Sequence, residues 1–155
     1  MRIVVISDSH GNETAIRTVL KAEPQATAVI HLGDGAAEAE RLKAEFPALE
    51  WHIVRGNCDV GTTAPVNDCI SVGGHRVYLT HGHGERVKSG LLTLCYTARE
   101  REVEIALYGH THVPSIDFQS GVMLMNPGSV GYQGSYGILE IRSRDVIPSL
   151  CRPGT

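Results

Sequence analysis

The run Ile3-Val4-Val5-Ile6 has no polar position and stops at Ser7-Asp8. A β-branched run with no polar alternate needs cover on both faces, which is the condition of a strand inside an α/β sheet. The same grammar recurs four times. Ala28-Val29-Ile30-His31-Leu32 ends at Gly33-Asp34, and Trp51 to Val54 leads into Gly56-Asn57-Cys58-Asp59. Arg76 to Leu79 leads into Thr80-His81-Gly82-His83, and Ile105 to Tyr108 into Gly109-His110-Thr111-His112. Five apolar runs thus each deliver a short block of carboxylate, amide or imidazole to a strand end, where a fold brings distant residues together on a cation.

The segments between the runs fix how the strands are joined. After Asp8, Asn12 is placed to cap a helix, Glu13 suits its positive end, Ile16, Val19 and Leu20 form one apolar face, and Pro24 ends it. A second helix is predicted from about Ala36 to Phe46, with Ala39, Leu42 and Phe46 turned to the core. Strand, helix, strand, helix, strand predicts parallel pairing with right-handed crossovers, and ligands in such sheets bind beyond the carboxyl ends of the strands. The pattern then changes. Cys69 to Val72 and Arg76 to Leu79 flank Gly73-Gly74, a hairpin signal, and Ile116 to Phe118 and Val122 to Met125 flank Ser120-Gly121 in the same way. A helix is predicted over Lys88 to Arg101, and Tyr136 to Ile141 closes a sheet. The fold class is therefore α/β, two packed mixed β-sheets flanked by helices, in one domain over residues 1–155 with 152–155 a frayed tail.

Composition narrows the partners. A formal net charge of −3 supplies no broad basic field, which argues against strong nucleic-acid binding. Cys58, Cys69, Cys95 and Cys151 lie far apart with no Cys-x-x-Cys pair, so reduced thiols are expected. Neither a leader-type segment nor a bilayer-length apolar stretch is present, which predicts a cytoplasmic chain with no membrane partner.

Asp8 and His10 are two apart, as are His110 and His112, so in extended chain each pair would point to one side and serve one site. Carboxylate oxygen with imidazole nitrogen suits manganese, iron, zinc, nickel or cobalt better than calcium. Six or seven such donors predict two ions.

The order of blocks from Asp8 to Asn126-Pro127-Gly128-Ser129 resembles the calcineurin-like metallophosphoesterases, most closely their small, single-domain YfcE-type phosphodiesterase branch. That resemblance implies a four-layer αββα sandwich. It also implies that Asp8, His10 and His112 hold one divalent ion, that Asn57, His81 and His110 hold the other, and that Asp34 bridges them, with Asp34, Asn57 and His81 central to catalysis. The implied cofactors are two divalent metal ions, manganese first. The implied activity is a dinuclear phosphodiesterase acting on small phosphate diesters through a metal-bridging hydroxide, since paired ions lower the pKa of water from 15.7 towards about 7. The alternatives are a phosphomonoesterase on the same core and a non-catalytic scaffold like the retromer subunit of this fold. Self-association is expected by analogy with the branch.

Four residues around this core carry open readings. Cys58 stands where larger relatives have a leaving-group acid; as a thiol it is a poor substitute, and a buried, small apolar residue is the favoured reading. Asp59 is expected to orient a neighbour rather than donate a proton. His83 either touches substrate or supports a ligand, and Arg55 is either a phosphate contact or a solvated strand-end charge. His31, His52 and His75 lie outside the blocks and are read as structural or exposed. The turn at Asn126 to Ser129 is compatible with closing the site.

Overall fold

The computed structural model describes residues 1–153. Its first three strands, β1 (Arg2–Ile6), β2 (Ala28–His31) and β3 (Glu50–Ile53), alternate with α1 (Glu13–Ala22) and α2 (Ala36–Glu45). They pair in parallel as expected, with Ile3 beside Ala28 and Val29 beside Trp51. The later elements are β4 (Asn67–Val72), β5 (His75–Thr80), α3 (Leu92–Glu100), β6 (Ile105–Leu107), β7 (Ser115–Gln119), β8 (Val122–Asn126), α4 (Val130–Gln133), β9 (Tyr136–Arg142) and β10 (Asp145–Cys151).

The strands form two mixed five-stranded sheets, ordered β10-β9-β1-β2-β3 and β4-β5-β6-β8-β7. Side chains alternate across a strand, and this sorts the apolar run of β1 into two cores. Ile3 and Val5 face the second sheet and join Ile30, Val77, Leu79, Leu107 and Met125 in the central layer. Val4 and Ile6 face outward, where Ile16, Val19 and Leu20 of α1 and Leu42 of α2 cover them. On the far side, Leu94 and Ala98 of α3 pack on Tyr78, Ala106 and Leu124. The order helix, sheet, sheet, helix is the four-layer α/β sandwich. No helix among the described residues is long and apolar enough to cross a membrane.

Both hairpin signals are realised. Gly73 and Gly74 have φ of 56° and 83°, and Ser120 and Gly121 have 51° and 79°. Positive φ at both central residues is the tight hairpin turn that matches strand twist, and it explains glycine there.

Two expectations are corrected. The helix over Lys88 to Arg101 is interrupted: a short 3-10 turn at Val87–Ser89 ends at Gly90, whose φ of 132° no helix accepts, and α3 begins at Leu92. Tyr136 to Ile141 does not close its sheet, because β10 pairs along β9 from Asp145 opposite Arg142 to Cys151 opposite Tyr136. Pro148 sits in β10, and an edge strand tolerates a proline that an interior strand would not. The turn after Asn126 to Ser129 continues into α4, capped by the Ser129 hydroxyl on the Tyr132 amide. The expected tail falls partly on residues 154–155, which lie outside the described residues.

Candidate metal centre

The five polar blocks converge at the carboxyl ends of β1, β2, β5 and β6 and on the loop after β3. Their backbone is unusual. Nine non-glycine residues among those described have φ in the left-handed region, and five of them are Asp8, His10, Asp34, His110 and His112. Each such residue costs about 1–3 kcal/mol unless its surroundings hold it, and strain of this kind gathers at sites that do chemistry. The extended-chain account of the two pairs is therefore corrected: Asp8 and His10 meet because the loop turns through left-handed residues, not because a strand alternates, while His110 and His112 part, His110 joining Asp34 and His81 and His112 joining Asp8 and His10.

The two carboxylates lie at the centre, Asp8 fully buried and Asp34 4% exposed. Asp8 Oδ2 accepts from Ser7 Oγ at 2.6 Å and from the His110 amide at 3.1 Å. Its Oδ1 is left facing His112 Nε2 at 3.1 Å and His10 Nε2 at 3.5 Å. Asp34 Oδ1 accepts the Cys58 amide at 2.8 Å, and its Oδ2 lies 3.2 Å from His81 Nε2 and 3.9 Å from His10 Nε2. Donor atoms of Asp8, His10 and His112 lie within 4.8 Å of one another, as do those of Asp34, His81 and His110, and those of His10, Asp34 and Cys58. The two histidine groups thus adjoin through Asp34 and His10.

Close packing of the loops requires glycine at two points. A Cβ on Gly56 would stand 2.1 Å from Asp34 Oδ1, and one on Gly109 would stand 2.7 Å from Asp8 Oδ2. Asp59 then ties two loops together: its carboxylate accepts the amides of Asp34 at 2.8 Å, Gly35 at 2.9 Å, Ala36 at 3.1 Å and Gly56 at 2.9 Å. The expected orienting role of Asp59 is this fourfold bond. A second brace is buried behind Asp8. His31 accepts the Gly33 amide on Nδ1 and so carries its proton on Nε2, which donates to Ser9 Oγ at 2.9 Å. Ser9 in turn donates to Glu38 at 2.8 Å, and Glu38 also accepts the Gly11 amide.

The electrostatics say what this cluster needs. Among the described residues, the only basic groups within ion-pair distance of Asp8 and Asp34 are imidazoles. Burial would raise the Asp34 pKa, yet His81 and the Cys58 amide hold it well below the usual carboxylate range. Burial would lower that of His81, and its hydrogen bond to Asp34 with the charges of both carboxylates outweighs this and raises it. His81 Nδ1 donates to Leu32 O at 2.8 Å, so in the neutral ring Nε2 is a lone pair aimed at Asp34 Oδ2 and at His110 Nδ1, 3.2 Å away. Lone pairs converging at such distances repel unless a proton or a cation lies between them. Hard oxygen and borderline nitrogen in this number are the donors of a first-row divalent ion, and the residues fit such ions.

Of the residues singled out from the sequence, Asp8, His10, Asp34, Cys58, His81, His110 and His112 come together. Asn57 sits between Gly56 and Cys58 with its side chain exposed and its Nδ2 donating to Cys58 Sγ at 3.6 Å. Cys58 is exposed, which corrects the buried apolar reading; its thiol faces Asp34 and His10. The His83 ring lies tilted beside that of His81 at 5.7 Å and 52°, and its Nδ1 is buried with no hydrogen-bond partner among the described residues. Arg55 is half-buried and stands outside the cleft that opens onto His10 and Asp34. His31 and His75 are buried structural residues, the latter against Glu104 at 2.9 Å.

That cleft has a volume of about 710 Å³ and runs between the start of α2, the Cys58 to Thr63 loop and Tyr132. Tyr132 was not visible in the sequence reading. Its ring stacks on His10 at 5.0 Å and 22°, and no local motif around Val130-Gly131-Tyr132 announces it. Ser9 and Glu38 were missed for the same reason, since only the fold brings them to His31.

The family model for the calcineurin-like phosphoesterase superfamily domain matches residues 1–144. Phosphodiesterase YfcE of Escherichia coli (strain K12) is 30% identical over 90% of this chain and 88% of its own length. A crystal structure of a predicted phosphoesterase from Streptococcus pneumoniae TIGR4 superposes with a TM-score of 0.82 at 28% identity, covering 98% of this chain and 89% of that one. The zinc complex of Vps29 from Entamoeba histolytica shares the fold, with a TM-score of 0.75 at 20% identity over 97% of this chain and 98% of that one. The match spans β1 to β9 and every block that supplies the buried carboxylates and imidazoles, and on it this chain belongs to the calcineurin-like phosphoesterase superfamily.

Proposed function

We propose that the protein is a dinuclear metal-dependent phosphodiesterase, with Asp8, His10 and His112 holding one divalent ion, Asn57, His81 and His110 the other, and Asp34 shared between them. The observation that supports it most is the position of Asp34 Oδ2, within 4 Å of a histidine nitrogen from each group. Divalent ions bound there supply Lewis acidity towards phosphate oxygens and a nucleophile drawn from water at neutral pH. The protein's own part is to keep the donors from moving as charge develops: Asp59 and the Ser9–His31–Glu38 chain hold the carboxylate loops, and the Leu32 carbonyl fixes the His81 tautomer.

The cleft favours a diester. Its lining includes Glu38, Glu40 and Asp59 and no lysine or arginine, so a dianionic monoester finds no cationic side chain beyond the ions. Arg55, the one candidate for such a contact in the sequence, stands outside it. Hydrolysis of bis(p-nitrophenyl) phosphate in excess manganese, compared with p-nitrophenyl phosphate and with a His110→Ala variant, tests the reading. Turnover that is faster on the diester and falls on substitution of His110 is expected. A wild-type rate no higher than the variant's would leave the scaffold alternative, and faster monoester hydrolysis would replace the substrate class.

A further inference from the structure

Tyr132 is a solvent-facing aromatic held unusually firmly. It lies in α4, a single helical turn pinned to two of the site loops. The Ser129 hydroxyl donates to Asp8 O at 2.8 Å and accepts the Tyr132 amide at 3.1 Å. The amides of Val130 and Gly131 donate to Ser7 O at 3.0 Å and Asp8 O at 3.2 Å. Asn12 Nδ2 donates to Gly131 O at 3.0 Å, and Gln133 Nε2 donates to His112 O at 2.9 Å. Gly131 packs so tightly that a Cβ there would stand 2.2 Å from Ser9 O. The ring that this turn carries covers His10 at 5.0 Å and 22° and tilts to His112 at 5.5 Å, yet the residue is 69% exposed and forms part of the cleft wall. A large apolar surface left open at a rim, on a backbone that has little freedom to withdraw it, is a preorganised contact for a ligand.

Resting on the phosphodiesterase reading above, we propose that Tyr132 determines specificity: its open ring surface stacks a flat, uncharged aromatic alcohol of the diester while the phosphate sits at the histidines and carboxylates. The rest of the cleft agrees. Val60, 95% exposed, lines the same cleft, Thr62 and Thr63 offer hydroxyls, and the carboxylates of Glu38 and Glu40 with no lysine or arginine disfavour a second phosphate. Aryl esters and single nucleobase-bearing diesters fit this lining; polyphosphates and nucleic-acid strands do not. Stacking of a flat base on an aromatic side chain is worth about 1–3 kcal/mol, a factor of roughly 5 to 150 in affinity.

The test keeps the chemistry constant and varies only the alcohol that stays on phosphorus. With manganese-loaded protein, kcat/KM is measured for bis(p-nitrophenyl) phosphate and for ethyl p-nitrophenyl phosphate, which share a leaving group. In parallel, calorimetry reads the binding of phenylphosphonate against ethylphosphonate, with no turnover required. The wild type is expected to prefer the aryl member in both series. Tyr132→Ala is expected to reduce the preference about tenfold, in KM and not in kcat, and Tyr132→Phe to restore it. No aryl preference in wild-type binding, or the same preference in Tyr132→Ala, overturns the proposal. So does a uniform fall in kcat accompanied by weaker manganese binding, which would make Tyr132 a support for His10 alone. Aryl preference in binding without hydrolysis of either ester would sink the hydrolase reading and leave this one standing.

Discussion

The loops that carry carboxylates and those that carry imidazoles are built differently. Asp8 and Asp34 are buried and held by hydrogen bonds that reach across the chain: Asp59 gathers four amides from two loops, and Ser9 links His31 to Glu38 behind β1. His110 and His112 of the second sheet rely on less, while His81 beside them is fully buried and held by the Leu32 carbonyl. His110 follows Gly109, whose carbonyl accepts from Asn126 Nδ2 at 3.1 Å, and His112 keeps its ring 32% exposed against Tyr132. An ionised carboxylate out of water is costly unless every lone pair is occupied, whereas a neutral imidazole tolerates a partly wet position. Rigid support is concentrated where charge is buried.

That contrast predicts unequal damage. Asp34→Asn is expected to reduce diester hydrolysis on the order of 10³-fold, because its carboxylate oxygen lies within 4 Å of a histidine nitrogen from each group. His110→Ala should cost on the order of 10²-fold and spare the group of Asp8, His10 and His112. Bound manganese per chain, measured after gel filtration, should fall further in Asp34→Asn than in His110→Ala. Equal losses would mean that Asp34 is no more shared than a histidine, and the contrast would go.

Acid should strike the carboxylate side through its brace. Burial pushes the His31 pKa down to about 4, so the folded state keeps the ring neutral while the unfolded chain titrates near 6.5. Between those values the unfolded state binds the extra proton, and stability, complete above pH 6.5, declines by about 3 kcal/mol on the way to pH 4. Urea titrations of metal-free protein at stepped pH would show it, and His31→Gln should flatten the curve. Parallel curves for the two proteins would mean that the proton enters elsewhere.

Asp59→Ala sharpens the same point at smaller scale. It leaves four amides without their acceptor, and metal affinity is expected to fall by about 10–100-fold with a lowered Tm. Asp59→Asn, which keeps one carbonyl oxygen, should land between. Manganese affinity unchanged in both would confine Asp59 to folding.

How much of this was legible in the sequence follows from how local each signal is. The runs ending at Asp8 and Asp34, and the positive-φ hairpin turns at Gly73-Gly74 and Ser120-Gly121, depend on neighbours in the chain, and they read correctly. The two sheets and the meeting of the polar blocks at their ends followed from them. β10 was invisible because Pro148 breaks a strand pattern that only an edge position permits, and α3 was overextended because helical spacing continues across Gly90. Tyr132, Ser9 and Glu38 reach the site through contacts 122, 22 and 29 residues apart in sequence, as in Tyr132 to His10, Ser9 to His31 and Ser9 to Glu38. No spacing rule spans such distances. The left-handed turns at five donor positions were equally hidden: aspartate and histidine enter that region more readily than most side chains, but still in a small minority of positions, and no local pattern says which.

The smallest expected effect belongs to the Cys58 thiol, which sits at the carboxylate side while only the backbone amide of that residue supports Asp34. Desolvation and the charge of Asp34 hold its thiol above the ordinary pKa, so at neutral pH it carries a proton but releases it poorly. A positioned general acid of suitable pKa contributes about 10²–10⁴-fold; this one should contribute less than about tenfold. Hydrolysis should then favour diesters whose alcohol leaves without help, p-nitrophenyl over alkyl, and Cys58→Ala should leave that ranking in place. Loss of alkyl-ester turnover alone, by about 10² in Cys58→Ala, would make the thiol a true proton donor. The carboxylate loops would then do more than hold ions: the same amide of Cys58 that bonds Asp34 Oδ1 would also aim the acid at the departing oxygen.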